Sequence, residues 1–221
     1  VDHSGNALAL WYDERHVMPF SQPNQPAMRY PPSHKLATRR RIVSAASAAF
    51  RERGVEGMGL DEIMRRAGLT HGGFYAHFRD KSELVAEACA EAFETAVINL
   101  DRIAQLSTPA KRTRLLIDSY LSTRHRDNRG SGCLIVAVGA DMARLVGAAR
   151  DGFARGFELH LARLEAVLKL SLDAIENHDR VTHLMSSLVG ALIFARATKD
   201  PERSDALLVS SRRMLKHEFC Q

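Results

Sequence analysis

The sequence predicts an all-α fold of about nine helices. Apolar residues recur at three- and four-residue spacing over most of the chain, and no stretch alternates with the period of a strand. The 221 residues are 45% hydrophobic, enough apolar surface for a proper core. No internal repeat is evident, so the helices are expected to pack as a globular body.

Residues 1–34 hold five of the seven prolines, at positions 19, 23, 26, 31 and 32, with no sustained period, and read as a disordered leader. Met28 lies just ahead of the first helical pattern, so the preceding stretch reads as an upstream start or as added sequence. Trp11 lies there and marks no site. From Lys35, the positions Ile42, Ala45, Ala46, Ala49 and Phe50 form one helical face, with Arg39, Arg40, Arg51 and Arg53 around it and Gly54 able to end it. A short helix follows with Leu60, Ile63, Met64 and Ala67 on one side and Gly68 beyond it. Thr70 is placed to cap a third, equally short helix that buries Phe74 and Phe78, four residues apart. Asp80 and Glu83 resemble a capping box opening a long helix through Leu84, Ala88, Ala92, Ala96, Leu100 and Ile103, which ends before Pro109.

Pro109 opens a helix carrying Leu115, Leu116, Tyr120 and Leu121, broken by the polar and glycine run from Asp127 to Gly132. Cys133 to about Arg144 is a short apolar helix. Gly147 to Leu170 is a long one with Phe153, Phe157, Leu161, Leu164 and Leu168 on one face. Asp173 to Thr198 and Pro201 to about Phe219 give the last two.

The longest apolar runs, near Leu134–Ala140 and Leu188–Ala195, fall short of the roughly 18–20 residues that cross a bilayer. The first residues lack a basic and apolar signal pattern, so a cytoplasmic location and no membrane partner are expected. Cys89, Cys133 and Cys220 are odd in number with no close pair, which fits a reducing compartment and neither a disulfide framework nor a cysteine metal site. His160, His178 and His183 have no recognised ligand spacing and read as exposed or satisfied, so no metal is expected. Phosphate loops, dinucleotide fingerprints and nucleophile elbows are absent, so neither a cofactor nor enzyme activity is supported. The charge is uneven: residues 28–82 hold eleven Lys and Arg against five Asp and Glu, whereas residues 83–221 are close to neutral. Such a basic block suits a polyanion-binding module, or simply a solvated basic face.

Two short helices joined by a glycine-containing turn, each apolar on one side only, is the pattern of a helix-turn-helix. Ile63, Ala67, Leu69, Phe74 and Phe78 would hold it together, leaving Thr70, His71, Gly72, Gly73, Tyr75 and His77 outside. Two glycines near a helix start cost roughly 1 kcal/mol each relative to Ala, which either a tight turn or a close approach to nucleic acid would offset.

Three segments, R-R-R-I-V-S-A-A-S-A-A-F-R-E-R-G at 39–54, D-E-I-M-R-R-A-G-L-T at 61–70 and G-G-F-Y-A-H-F-R-D-K-S-E-L at 72–84, closely resemble the TetR/AcrR family of bacterial transcriptional regulators. The likeness covers about 50 residues strongly; beyond them it rests on length and helix order. It implies a helix-turn-helix DNA-binding domain over 35–82 and a larger effector-binding and dimerisation domain over 83–221. It also implies a double-stranded DNA operator as partner, with Tyr75, His77 and Lys81 holding phosphates and Thr70, His71, Gly72 and Gly73 facing the bases. Arg39 and Arg40, with Lys35 and Arg41, would add contacts from the first helix or stand solvated. Two positions depart from the family pattern: Gly59 stands where Ser or Thr is common, and Met64 where a small residue is.

The resemblance further implies a homodimer through the last two long helices. Leu184, Leu188, Ala191, Leu192 and Ala195 recur on one face there, with Ser187 and Gly190 small enough for close packing. Cys133 follows Gly132 at a helix start, with Arg129 nearby, where a thiolate is stabilised. It reads as a sensor of an electrophile or oxidant, or as a small buried apolar residue. Tyr120, Met142, Phe153 and Phe157 are expected to line the pocket of an unidentified small-molecule effector. The function implied is a repressor released from a palindromic operator by its effector, with activation left open. The alternatives are an all-α protein-interaction scaffold and a thiol-dependent enzyme centred on Cys133.

Overall fold

The computed structural model describes residues 32–220. Residues 1–31 and 221, which include Trp11 and most of the expected leader, lie outside the described residues. Every regular element among those described is helical. In chain order they are α1 (Pro32–Arg53), α2 (Leu60–Arg66), a 3₁₀ helix (His71–Ala76), α3 (Lys81–Ala104), α4 (Pro109–Tyr120), α5 (Thr123–Asp127), α6 (Leu134–Met142), α7 (Ala148–Leu168), α8 (Ala174–Ala197) and α9 (Pro201–Phe219).

The caps follow the local sequence. Gly54 adopts φ 73°, and its N–H reaches the Phe50 carbonyl at 2.8 Å, which ends α1. Asp80 accepts from the Glu83 amide at 2.8 Å and opens α3, while the Glu83 carboxylate accepts from the Arg79 amide at 2.9 Å. The expected capping arrangement is therefore present, with its return bond one residue earlier than in the usual box. Thr108, Asp173 and Asp200 cap α4, α8 and α9 in the same way.

Two boundaries and one helix type differ from the sequence reading. Helix α1 begins at Pro32, ahead of the expected Lys35, because proline is tolerated in a first turn whose amides have no partner. The third helix is 3₁₀ rather than α. The helix expected to run from Pro109 to the glycine-rich break stops at Tyr120. The Ser122 hydroxyl donates to the Ser119 carbonyl at 2.8 Å and accepts from the His125 amide at 3.1 Å, ending one helix and capping the next.

Two apolar cores share α3. The first joins α1, α2 and the 3₁₀ helix to the N-terminal half of α3 and to Leu134, Val138 and Met142 of α6. The second joins Leu100 and Ile103 of α3 to α4, the end of α7, α8 and α9. Close crossing of α3 and α7 depends on small residues. A Cβ on Gly156 would lie 2.3 Å from the Phe93 ring, and one on Gly152 2.9 Å from Ala86 Cβ.

The apolar face assigned to dimerisation lies inside the chain's own second core. Leu184, Leu188, Leu192 and Ala195 are at most 1% exposed there and cover α9. The large apolar residues that α8 and α9 leave to solvent are Ile175, Ile193, Phe194, Val209 and Met214. A helix packed against its own protomer spends its strongest stripe first, so only the weaker stripe remains outside.

Candidate functional site

The helix-turn-helix is built on a buried aromatic pair. Phe74 and Phe78 are 0% and 2% exposed with rings 5.5 Å apart, and burying each contributes about 2 kcal/mol. Between α2 and the 3₁₀ helix the Leu69 amide reaches the Met64 carbonyl at 2.9 Å, and the Gly68 amide reaches that of Arg65 at 3.0 Å. With Gly68 at φ 67° this is a Schellman turn, and a side chain at Gly68 would strain it. Gly59 opens α2 with extended backbone and no side-chain cap. Met64, large where a small residue is common, is fully buried; its Cε lies 3.7 Å from the place of a Cβ on Gly73, an ordinary contact.

Above this base stands a polar crest. Thr70, His71, Gly72 and Tyr75 are exposed, Tyr75 by 65%. Thr70 occupies the cap position, yet its hydroxyl makes no cap bond. Nothing lies within 4 Å of a Cβ on Gly72. The ring of His71 contacts the Asp61 carboxylate and lies 6.1 Å from that of Tyr75. His77 is half-buried; its Nδ1 has no hydrogen-bond partner among the described residues, and burial, with Lys35, Arg39 and His34 nearby, lowers its pKa. Lys81 extends beside the turn and donates to the Val55 carbonyl at 2.7 Å.

The two arginines proposed from α1 part company. Arg39 is committed within the fold: it pairs with Glu83 at 2.8 Å and with Glu87, and lies 4.1 Å over the Phe78 ring. These contacts clamp α1 to α3, so Arg39 positions the module and its charge is already compensated. Hydrogen bonds from the Arg79 amide and Arg39 lower the Glu83 carboxyl to about 2. Arg40 is exposed and makes no ion pair among the described residues.

In the C-terminal part, a cavity of about 530 Å³ lies between α1, α3 and the turn into α6. Cys133 and Tyr120 line it, as does buried His160 from α7. Met142, Phe153 and Phe157 do not. Met142 is 3% exposed within the first core, and the two phenylalanines pack against that core beside the tight α3–α7 crossing. Phe153 meets Phe93, with ring centroids 5.4 Å apart, and Phe157 stacks on Phe153.

Cys133 caps α6, as the sequence suggested, with its thiol partly exposed. Its amide is held by a residue the sequence did not single out. His125, 1% exposed, donates from Nδ1 to the Tyr120 carbonyl at 2.6 Å and accepts the Cys133 amide on Nε2 at 2.9 Å. These bonds fix the neutral tautomer, and burial lowers the pKa of His125 to about 4. Burial also pushes the Tyr120 hydroxyl well up, with Cys133 as its hydrogen-bonding neighbour. Arg51 of α1 lines the same cavity as Cys133.

Two further bonds connect this region to the helix-turn-helix. Arg51 Nε donates to the Gly130 carbonyl at 2.7 Å, and the Asp141 carboxylate of α6 accepts the Val55 amide at 2.8 Å. Of the three histidines read as exposed or satisfied, His178 meets Glu165 at 2.8 Å and His183 meets Glu218 at 3.4 Å. His160 departs from that reading: it is 7% exposed, and its Nδ1 has no partner among the described residues.

The sequence pattern of the family described as "Bacterial regulatory proteins, tetR family" matches residues 42–88, the module just described. The transcriptional activator FasR of Mycolicibacterium smegmatis is 27% identical over 176 residues, covering 71% of this chain and 80% of that one. The transcriptional repressor NemR of Escherichia coli is 26% identical over 143 residues, 64% of this chain and 70% of its own. The crystal structure of reduced E. coli NemR aligns with a TM-score of 0.69 at 22% identity, over 82% of this chain and 96% of that one. AibR, crystallised with isovaleryl coenzyme A and operator DNA, aligns with a TM-score of 0.55 at 19% identity, over 83% and 98% of the two chains.

Proposed function

Because the chain belongs to the TetR/AcrR family and is a DNA-binding transcriptional regulator, we propose that it acts in the bacterial cytoplasm as a homodimeric repressor. Its palindromic operator is released when an effector occupies the cavity lined by Cys133. The observation that carries the DNA-binding part is the crest of Thr70, His71, Gly72 and Tyr75, held outward by a fully buried Phe74. Tyr75, His77 and Lys81 contact phosphates and supply salt-dependent affinity, and Thr70, His71, Gly72 and Gly73 meet base edges. Arg40 adds a phosphate contact from α1. A single such module reads few base pairs, and a two-fold pair on a palindrome is the arrangement that extends the site.

Relatives of both signs, an activator and a repressor, are similar to this chain. Repression is favoured by simple occupancy: a dimer that covers its operator and leaves when the cavity fills needs no further partner. The effector must bind the DNA-incompetent state better than the competent one. The bonds from Arg51 to Gly130 and from Val55 to Asp141 join the two regions whose relative placement would change.

The test is binding of the purified chain to duplex DNA from its own upstream region, measured by fluorescence anisotropy over a salt series. Tyr75→Ala with Lys81→Ala is expected to lower affinity at least about tenfold and to flatten the salt slope. Parental affinity and slope in the double variant would remove the DNA-contact assignment.

A further inference from the structure

We propose that the cavity takes an anionic amphiphile: a small carboxylate whose charged end meets the Arg51 guanidinium and whose apolar body lies toward Phe93 and Ile98. This rests on the effector reading above and names the chemistry of the effector. Arg51 spends its Nε on the Gly130 carbonyl at 2.7 Å, and among the described residues no carboxylate reaches ion-pair distance of it. Of the acids that line the cavity, Glu52 is bound to Arg66 at 2.7 Å, leaving Glu91 against Arg51 and Arg102. A half-buried guanidinium with no bonded counter-ion is costly, and burial lowers its pKa. The planar fork of arginine fits a carboxylate with two parallel hydrogen bonds.

His160 points independently to a ligand. It is 7% exposed, lines the same cavity, and its ring lies 5.9 Å from that of Phe93, with its Nδ1 unpartnered among the described residues. A buried polar atom in that state calls for a hydrogen-bonding guest, and a neutral imidazole can serve a second polar atom of the ligand. The cavity volume of about 530 Å³ is in the range of small-molecule sites. The guest would also share Arg51 with the Gly130 carbonyl. Its charge would therefore bear on a bond joining α1 to the turn before Cys133.

The experiment is calorimetric titration of the full chain with carboxylates from butyrate to 4-phenylbutyrate, each against its primary alcohol. The acids are expected to bind, and the alcohols roughly ten- to a hundredfold more weakly. Arg51→Gln should abolish that preference. The acid–alcohol comparison on the parent chain needs no variant to fold. Equal binding of acid and alcohol, no binding of either, or a preference that survives Arg51→Gln would overturn the proposal. Acid binding that depends on Arg51 but leaves operator affinity unchanged would support this ligand class and refute effector-controlled release. DNA release by the alcohols as readily as by the acids would do the reverse.

Discussion

Gly72 has a role the protein interior does not explain. No atom lies within 4 Å of where its Cβ would stand, and its φ is not positive, so neither a clash nor a left-handed turn demands glycine. Gly72→Val should therefore fold with a urea midpoint close to the parent's, while affinity for operator DNA falls at least about tenfold as a side chain enters the space of the bases. Unchanged affinity would move the base-reading edge elsewhere. His125 and His160 show where residue-level reading stops. Sequence spacing says that each is polar and helical, but their burial depends on contacts from far along the chain. The backbone at His125 and Arg126 is held by Arg196, at 2.9 and 3.1 Å, about seventy positions away.

At the level of elements, helix periods and caps were readable because their physics is local. Gly54, Gly68, Asp80 and Pro201 act within a turn of themselves. The break between α4 and α5 was not readable, since Leu121 and Ser122 carry no glycine or proline and a serine inside a helix usually passes unnoticed. The pairing of α8 with α9 decided which stripe of α8 is internal, and period alone cannot choose between two apolar stripes. The outward stripe supplies a second prediction. Phe194 is 65% exposed, and space around a Cβ on Gly190 is open. Phe194→Asp should give a folded monomer by sedimentation velocity, with the parent chain a dimer; a dimeric variant would place the interface on another face.

For the whole molecule, burial holds two histidines neutral, bringing His125 and His160 to about 4. Unfolded histidine titrates near 6.5, so below that pH the unfolded chain takes up protons that the folded chain refuses. Their contribution to stability is intact above about pH 6.5 and declines as pH falls toward 4. Each histidine is expected to cost on the order of 2 kcal/mol between pH 6.5 and 5. Urea denaturation midpoints measured from pH 7.5 to 5 will show this decline, and a flat profile would contradict it. The Glu83 contribution belongs to a lower window, present above about pH 4.5 and lost as pH falls toward 2, so the two effects separate.

One rod, α3, has its first half in the core beneath the crest and its second half in the core with α4, α8 and α9. Its 24 residues make a shaft of about 36 Å. Pivoted near one end, a tilt of about 5° swings the other by about 3 Å, close to the rise of one nucleotide along a DNA strand. Leverage of that size would let a modest rearrangement around a bound molecule carry the crest out of register with its target.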